Sequence, residues 1–280
     1  MRVGNVECFL VSDGECRIDG GGHFGLVPKV LWQKFFPADE LNRVTTALNC
    51  LLILSEGKRI LVDTGFGRKL SPKDLEINGL EPARSDLLDD LQRLGYTAAD
   101  IDIVINTHLH SDHCGGNTIL RDGVAVPTFP NAQYWIQRLE WADALYPNER
   151  TRNTYLPENL LPIQGAGQLR LLFGDTRVTS EVRCQVTRGH TRAHQCVIIE
   201  SAGEAAIFLG DLASMAIKME RLGWISAFDA EPMETLETKR SIRNWAWEKR
   251  ALLIFEHDLR MPMGYLVKDG DSFRVVAPPG

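Results

Sequence analysis

The chain of 280 residues predicts an α+β protein, a four-layer αβ/βα sandwich, on three observations. Apolar runs of strand length recur in both halves, stretches of helical period lie between them, and the second half repeats the logic of the first. With 44% hydrophobic and 24% charged residues, the composition suits a globular chain with a sizeable core. The expected organisation is a single domain of two similar halves, about 1–142 and 171–280, joined by a connecting or lid segment at about 143–170.

The elements follow in order. Cys50 to Leu54 and Ile60 to Val62 are apolar runs around a polar turn at Ser55 to Lys58, a β-hairpin. In "SDLLDDLQRLG", Leu87, Leu88, Leu91 and Leu94 form a helical stripe, with Ser85 as N-cap and Gly95 as stop. "TAAD" reads as a capped turn, and "IDIVINTH" as a buried strand ending at His108. "TFPNAQYWIQRLEWADAL" reads as a strand, then an amphipathic helix; "YPNERTRNTYLPENLLPIQGAG" lacks steady periodicity and is the connecting candidate. In the second half, "VTSEVRCQVTRGH" ends a strand at His190, "QCVIIESAGEAAIFLGD" is a hairpin ending at Asp211, and "RALLIFEHD" runs from helix to a strand ending at His257. Trp245 and Trp247 fall on a helix, where neighbours two apart face differently, and are assigned to packing.

Bulk properties exclude several classes. A net charge of -6 argues against nucleic-acid binding, which needs a basic face for phosphates. The N-terminus turns acidic and Gly-rich too early for a signal peptide, and no apolar run reaches the ~20 residues a bilayer requires. A cytoplasmic protein is expected. Its six cysteines, Cys8, Cys16, Cys50, Cys114, Cys184 and Cys196, form no CxxC pair and read as reduced thiols.

The chemistry concentrates in "NTHLHSDHCGGN", residues 106–117. At 7 histidines in the whole chain, His-x-His-x-Asp-His arises by chance in roughly one such chain in a few thousand. Residues two apart in an extended loop share a side, so His108 and His110 suit one ion while Asp112 and His113 reach a second. Gly115 and Gly116 permit the close backbone approach so crowded a loop needs. Imidazole and carboxylate are the donors of hydrolytic zinc sites. His190, Asp211 and His257, each at an expected strand end, complete two ligand sets and one bridging carboxylate. Cys114 reads as a packing residue and His194 as a hydrogen-bonding one. His23 belongs to the entrance or the surface. Phe24, Leu26, Val27, Trp32 and Trp224 are pocket-wall candidates for which core packing is the favoured reading.

Taken in order, "LVDTG", "THLHSDHCGG", "GHTRAHQ", "GD" and "EHD" resemble the metallo-β-lactamase superfamily over nearly the whole chain. Softer motifs, "GGHFGLVPKVLW", "FPNAQYWIQRLEWADA" and "YPNERTRNTYLPENLLPI", resemble its N-acyl-homoserine lactonase and methyl-parathion-hydrolase-like branch. The resemblance implies the αβ/βα sandwich and a dinuclear site. His108, His110 and His190 would hold one metal and Asp112, His113 and His257 the other, with Asp211 bridging and Asp63 orienting a ligand histidine. Two departures stand out: "RGHTRAH" replaces the frequent "PGHTPGH", and Ser214 stands where homoserine lactonases carry a tyrosine that polarises the lactone carbonyl.

The implied activity is a dinuclear metal-dependent hydrolase, with quorum-quenching relatives, in which a hydroxide bridging two divalent ions opens a lactone or cleaves a related ester. Asp112 or Asp211 would shuttle the proton. Zinc is the expected metal, with Mn, Fe and Co as alternatives. A phosphotriesterase or phosphodiesterase on the same site is the first alternative; an iron oxidoreductase and a binding-only relative follow. The expected partner is a small-molecule substrate with an apolar portion, not nucleic acid or membrane, and the assembly considered is a homodimer.

Overall fold

Strand alternation explains the layering. In the computed structural model, which describes residues 1–81 and 85–279, Leu51 and Ile53 point one way and Cys50 and Leu52 the other, and all four are buried. A strand buried on both faces must lie between two layers. Leu51, Ile53, Ile60 and Val62 pack against Val197, Ile199, Phe208 and Ile254 between two sheets. Cys50, Leu52 and Leu61 pack outward against Leu87, Leu91 and Trp141. The second sheet mirrors this, with Cys196, Ile198 and Ile207 packed outward on Ile242 and Ala246. The order helix, sheet, sheet, helix is the expected αβ/βα sandwich.

The first sheet has strand order β1 (Arg2–Val3), β2 (Val6–Asp19), β3 (Arg43–Ser55), β4 (Lys58–Val62), β5 (Ile103–Ile105), β8 (Gln133–Gln137), β9 (Leu169–Leu172). A separate ribbon, β6 (Thr118–Arg121) with β7 (Val124–Pro127), lies between β5 and β8 in the chain. The second sheet runs β10 (Thr176–Arg177), β11 (Val182–Val186), β12 (Gln195–Ser201), β13 (Glu204–Phe208), β14 (Leu252–Ile254), β15 (Met263–Asp269), β16 (Ser272–Val276). Parallel pairing joins β4 to β5, β5 to β8 and β8 to β9 in the first sheet, and β13 to β14 in the second.

The two expected hairpins are present as β3–β4 and β12–β13. Five boundaries differ, two of them at β11 and β13, which stop at Val186 and Phe208, short of His190 and Asp211. The leucine stripe forms a helix over Leu87–Arg93, but its N-cap is Asp86, whose carboxylate accepts from the Leu88 and Asp89 amides, rather than Ser85. A carboxylate at the cap also meets the positive end of the helix dipole. β5 and β14 stop at Ile105 and Ile254, before His108 and His257, because the backbone there leaves the ladder to turn the histidines inward. Trp245 and Trp247 do lie on a helix, Pro232–Lys249, with Trp247 edge-on to Phe273. Among the described residues, no helix is long and apolar enough to cross a membrane, and all six cysteines are free and buried.

Candidate metal centre

The segments after β5, β11, β13 and β14 meet at one end of the sandwich, the crevice beyond strand termini where α/β folds commonly place their chemistry. His108 and His110 precede the short helix Ser111–Cys114 that carries Asp112 and His113. This loop fits only because two residues lack side chains: a Cβ on Gly115 would lie 2.3 Å from the Phe66 carbonyl oxygen, and one on Gly116 2.2 Å from that of Thr64. The opposing "DTG" backbone is itself unusual, with Asp63 at φ +57°, a left-handed conformation costly for a residue with a Cβ.

All seven expected site residues come together. Donor atoms of His108, His110 and His190 lie within 4.8 Å of one another, as do those of Asp112, His113 and His257, and those of His108, His113 and Asp211. Asp211 faces both sets: Oδ2 is 3.2 Å from His190 Nε2, and Oδ1 is 3.3 Å from His257 Nε2.

Hydrogen-bond partners decide which imidazole nitrogen is bare. Asp229 accepts from His190 Nδ1 at 2.8 Å, the Ala47 carbonyl from His257 Nδ1 at 2.8 Å, and Asp63 from His113 Nδ1 at 3.1 Å. The Thr107 hydroxyl donates its hydrogen to Asp63 and so accepts from His108 Nδ1. Each ring therefore keeps its proton on Nδ1 and turns the Nε2 lone pair inward. Accordingly, Nε2 of His108, His113 and His257 and Oδ1 of Asp211 are buried with no hydrogen-bond partner. Buried polar atoms are normally satisfied. Several lone pairs aimed at one place repel unless a cation sits among them, so the donor set fits divalent metal.

The electrostatics divide the rings into neutral donors and rings whose surrounding acids draw in a cation, either a proton or a metal ion. Burial, then the neighbouring imidazoles, hold His108 and His110 well below the usual histidine range, which keeps them neutral donors. Burial also opposes charge on His113 and His190, but it is outweighed by Glu256, Asp112 and Asp211 around the first and by Asp211 and Asp229 around the second. Asp211 lies well below the carboxylate range: burial works against ionisation, and His190, His257 and His113 overcome it.

A cavity of about 680 Å³ opens over these residues, within the usual size for a small-molecule site. His110, Asp112, His190, Asp211 and His257 line it, with Phe66, Leu70, Leu156 and Phe228 as an apolar wall. His23 lines it too, its Nε2 3.3 Å from the Met215 sulfur. Phe24, Trp32 and Trp224 pack in the core with Val44, Met215 and Ile217, the favoured reading, and Leu26 is fully exposed. Cys114 is a packing residue, its thiol pushed up to about 12 by burial. His194 takes a bond from the Asp211 amide at Nε2 and meets the Thr187 hydroxyl at Nδ1.

Four partners escape sequence reasoning. Asp229 lies in "ISAFDAEP", which has no pattern. Glu140 sits on a helix, yet its Oε1 accepts from the Leu109 amide and the Tyr155 hydroxyl, and its Oε2 from the Thr191 hydroxyl. Glu256 adjoins His257, a usable signal; it is fully buried, with Oε1 2.9 Å from His113 Nδ1 but outside hydrogen-bond geometry. Lys218, buried beneath the cavity, bonds Ser214.

Comparison with known proteins supports the fold and the hydrolase family. N-acyl homoserine lactonases of Bacillus cereus and of a Bacillus species are 27% identical, over 233 and 225 residues, covering 80% and 77% of this chain and 86% and 82% of theirs. A probable metal-dependent hydrolase from Staphylococcus aureus superposes with a TM-score of 0.89 at 28% identity, with both chains covered in full. AidC, a dizinc quorum-quenching lactonase solved with its product, reaches 0.82 at 20% identity, over 100% of this chain and 97% of its own, and is alike in fold. Residues 45–252 match the metallo-beta-lactamase superfamily, and the chain belongs to it.

Proposed function

We propose that the protein is a dinuclear metal-dependent hydrolase that opens a lactone of the N-acyl homoserine type or cleaves a related small ester. One observation carries this reading: the bare nitrogens of His108, His113 and His257 and the bare oxygen of Asp211 converge, buried, beneath or beside a cavity with a partly apolar wall. His108, His110 and His190 would hold one ion and Asp112, His113 and His257 the other, with Asp211 between them. When bound, such ions supply Lewis acidity and lower the pKa of water towards ~7.

The chain's own groups do the rest. Asp229, Ala47, Asp63 and Thr107 hold four rings in one tautomer, so no reorientation is needed. Asp112, partly exposed to the cavity, is placed to take the proton of the attacking water at a carboxylate oxygen and return it to the departing alkoxide. The wall of Phe66, Leu70, Leu156 and Phe228 suits an acyl chain, with Arg17, Lys73 and Arg152 lining the same cavity.

Elemental analysis of purified protein and hydrolysis of N-hexanoyl homoserine lactone, beside an aryl phosphotriester, test the reading. About two divalent ions per chain and preferential lactone opening are expected. Faster phosphotriester cleavage would assign the site to phosphoryl transfer, and protein that holds metal but hydrolyses neither would overturn the proposal.

A further inference from the structure

Two lysines are buried in the second half, and they differ in what they touch. Lys239 Nζ donates to the Leu222 and Trp224 carbonyl oxygens at 3.0 and 2.9 Å, which makes it a tie between a helix and a loop. Lys218, on the short helix Ala216–Glu220, is 4% exposed. Its ammonium has three hydrogens to give, and one hydrogen bond is formed, to Ser214 Oγ at 3.0 Å. Among the described residues, no carboxylate comes within ion-pair distance of it; burial pushes its pKa down, and the more distant Asp211 and Asp229 work the other way. Lys218 lines the same cavity as His110, Asp211 and His257.

An ammonium buried without a counter-ion is costly and persists where something is gained from it. Ser214 fixes its direction. The Ser214 carbonyl accepts from the His257 amide at 2.9 Å, so the hydroxyl that holds Lys218 is tied to the backbone of an expected ligand.

We propose that Lys218, steered by Ser214, is a catalytic residue that binds the substrate's carbonyl oxygen as negative charge gathers on it, and then a carboxylate oxygen of the ring-opened product. The inference rests on the lactone reading above. It answers what stands in place of the absent tyrosine: a cation one helical turn beyond Ser214. A compact ammonium is well suited to a single oxygen that changes from neutral to anionic, because its attraction grows as the charge develops.

The test compares wild type, Lys218→Met and Lys218→Arg, each loaded with zinc. Lys218→Met should lower kcat for N-hexanoyl homoserine lactone on the order of 100-fold, the scale of losing one oxyanion donor. KM should change far less. Zinc content should stay the same, and Tm should hold or rise, since an apolar isostere removes a buried unpaired charge. Lys218→Arg should recover part of kcat. Binding of the product N-hexanoyl homoserine, followed by calorimetry, should weaken in Lys218→Met. Wild-type kcat in Lys218→Met overturns the inference. So does a variant whose Tm and kcat fall together while arginine restores only Tm, the signature of a structural lysine. If wild type opens no lactone, the lactone reading fails separately, and the product-binding comparison alone decides Lys218: equal affinity in wild type and Lys218→Met overturns it.

Discussion

The two sheets contribute to the candidate centre in opposite ways. The first delivers His108, His110, Asp112 and His113 from one loop and its short helix beyond β5. The second delivers His190, Asp211 and His257 from the segments that follow three separate strands. The loop is held from within, by glycines pressed on the Thr64 and Phe66 carbonyls and by Asp63 at Thr107 and His113. Of the three distal residues, His190 and the Asp211 amide are held within the second half, by Asp229 and the His194 ring, while His257 reaches across to the Ala47 carbonyl of the first. A site assembled this way depends on the packing of the two sheets as much as on its own residues. Glu140 shows how the halves are joined, with the Leu109 amide on one oxygen and the Thr191 hydroxyl on the other.

The largest expected effect tests whether the two contributions weigh the same. His110→Ala and His190→Ala should each lose metal and cut kcat by about 10³-fold or more, as expected when the means of ionising water at neutral pH is dismantled. Metal stoichiometry and steady-state rates measure this. Full metal retention in His190→Ala would break the symmetry between loop and strand ends.

Next in size is the joint itself. Glu140→Ala leaves the Leu109 amide and the Tyr155 and Thr191 hydroxyls without their acceptor. It should cost roughly 3 kcal/mol in denaturant unfolding, from buried groups left unpaired. A loss below about 1 kcal/mol would mean that water replaces the carboxylate and that the sheets are joined elsewhere. A smaller effect sharpens the account of the second sheet. Asp229→Asn should weaken metal affinity about 10- to 100-fold by loosening the His190 ring, read from zinc competition with a chelator, with Tm nearly unchanged. The smallest concerns "RGHTRAH", where Arg192 replaces a proline and pairs with Asp143 on the helix Arg138–Leu145. Because Arg192 is more than half exposed, Arg192→Ala should shift stability by about 0–1 kcal/mol and leave metal content intact.

Much of this site is legible before any fold is known. The 106–117 loop places four donors and two glycines within twelve positions, and short chain connections leave few ways to arrange them. The hairpins and the leucine helix follow from period alone, although the cap moved by one residue because Asp86 can accept two amides where Ser85 was expected. Pocket walls were less legible. Phe24, Trp32 and Trp224 pack in the core, the reading favoured from sequence, whereas the apolar wall that does form, Phe66, Leu70, Leu156 and Phe228, was not singled out. Leu26, equally apolar, faces solvent.

By itself, the amino-acid order determined the residue types able to hold metal, the strand ends that carry them and the layered class of the fold, because alternation, caps and glycines act over a few neighbouring positions. The tertiary structure alone decided that His190 stands 3.1 Å from His110 across 80 residues of chain, that Asp229, Glu140 and Glu256 are partners rather than surface acids, and that Lys218 is buried against a cavity and bonded to Ser214. Those relations arise when two sheets bury their faces against each other and exclude water, and nothing local in the chain records which distant groups will then be left facing one another.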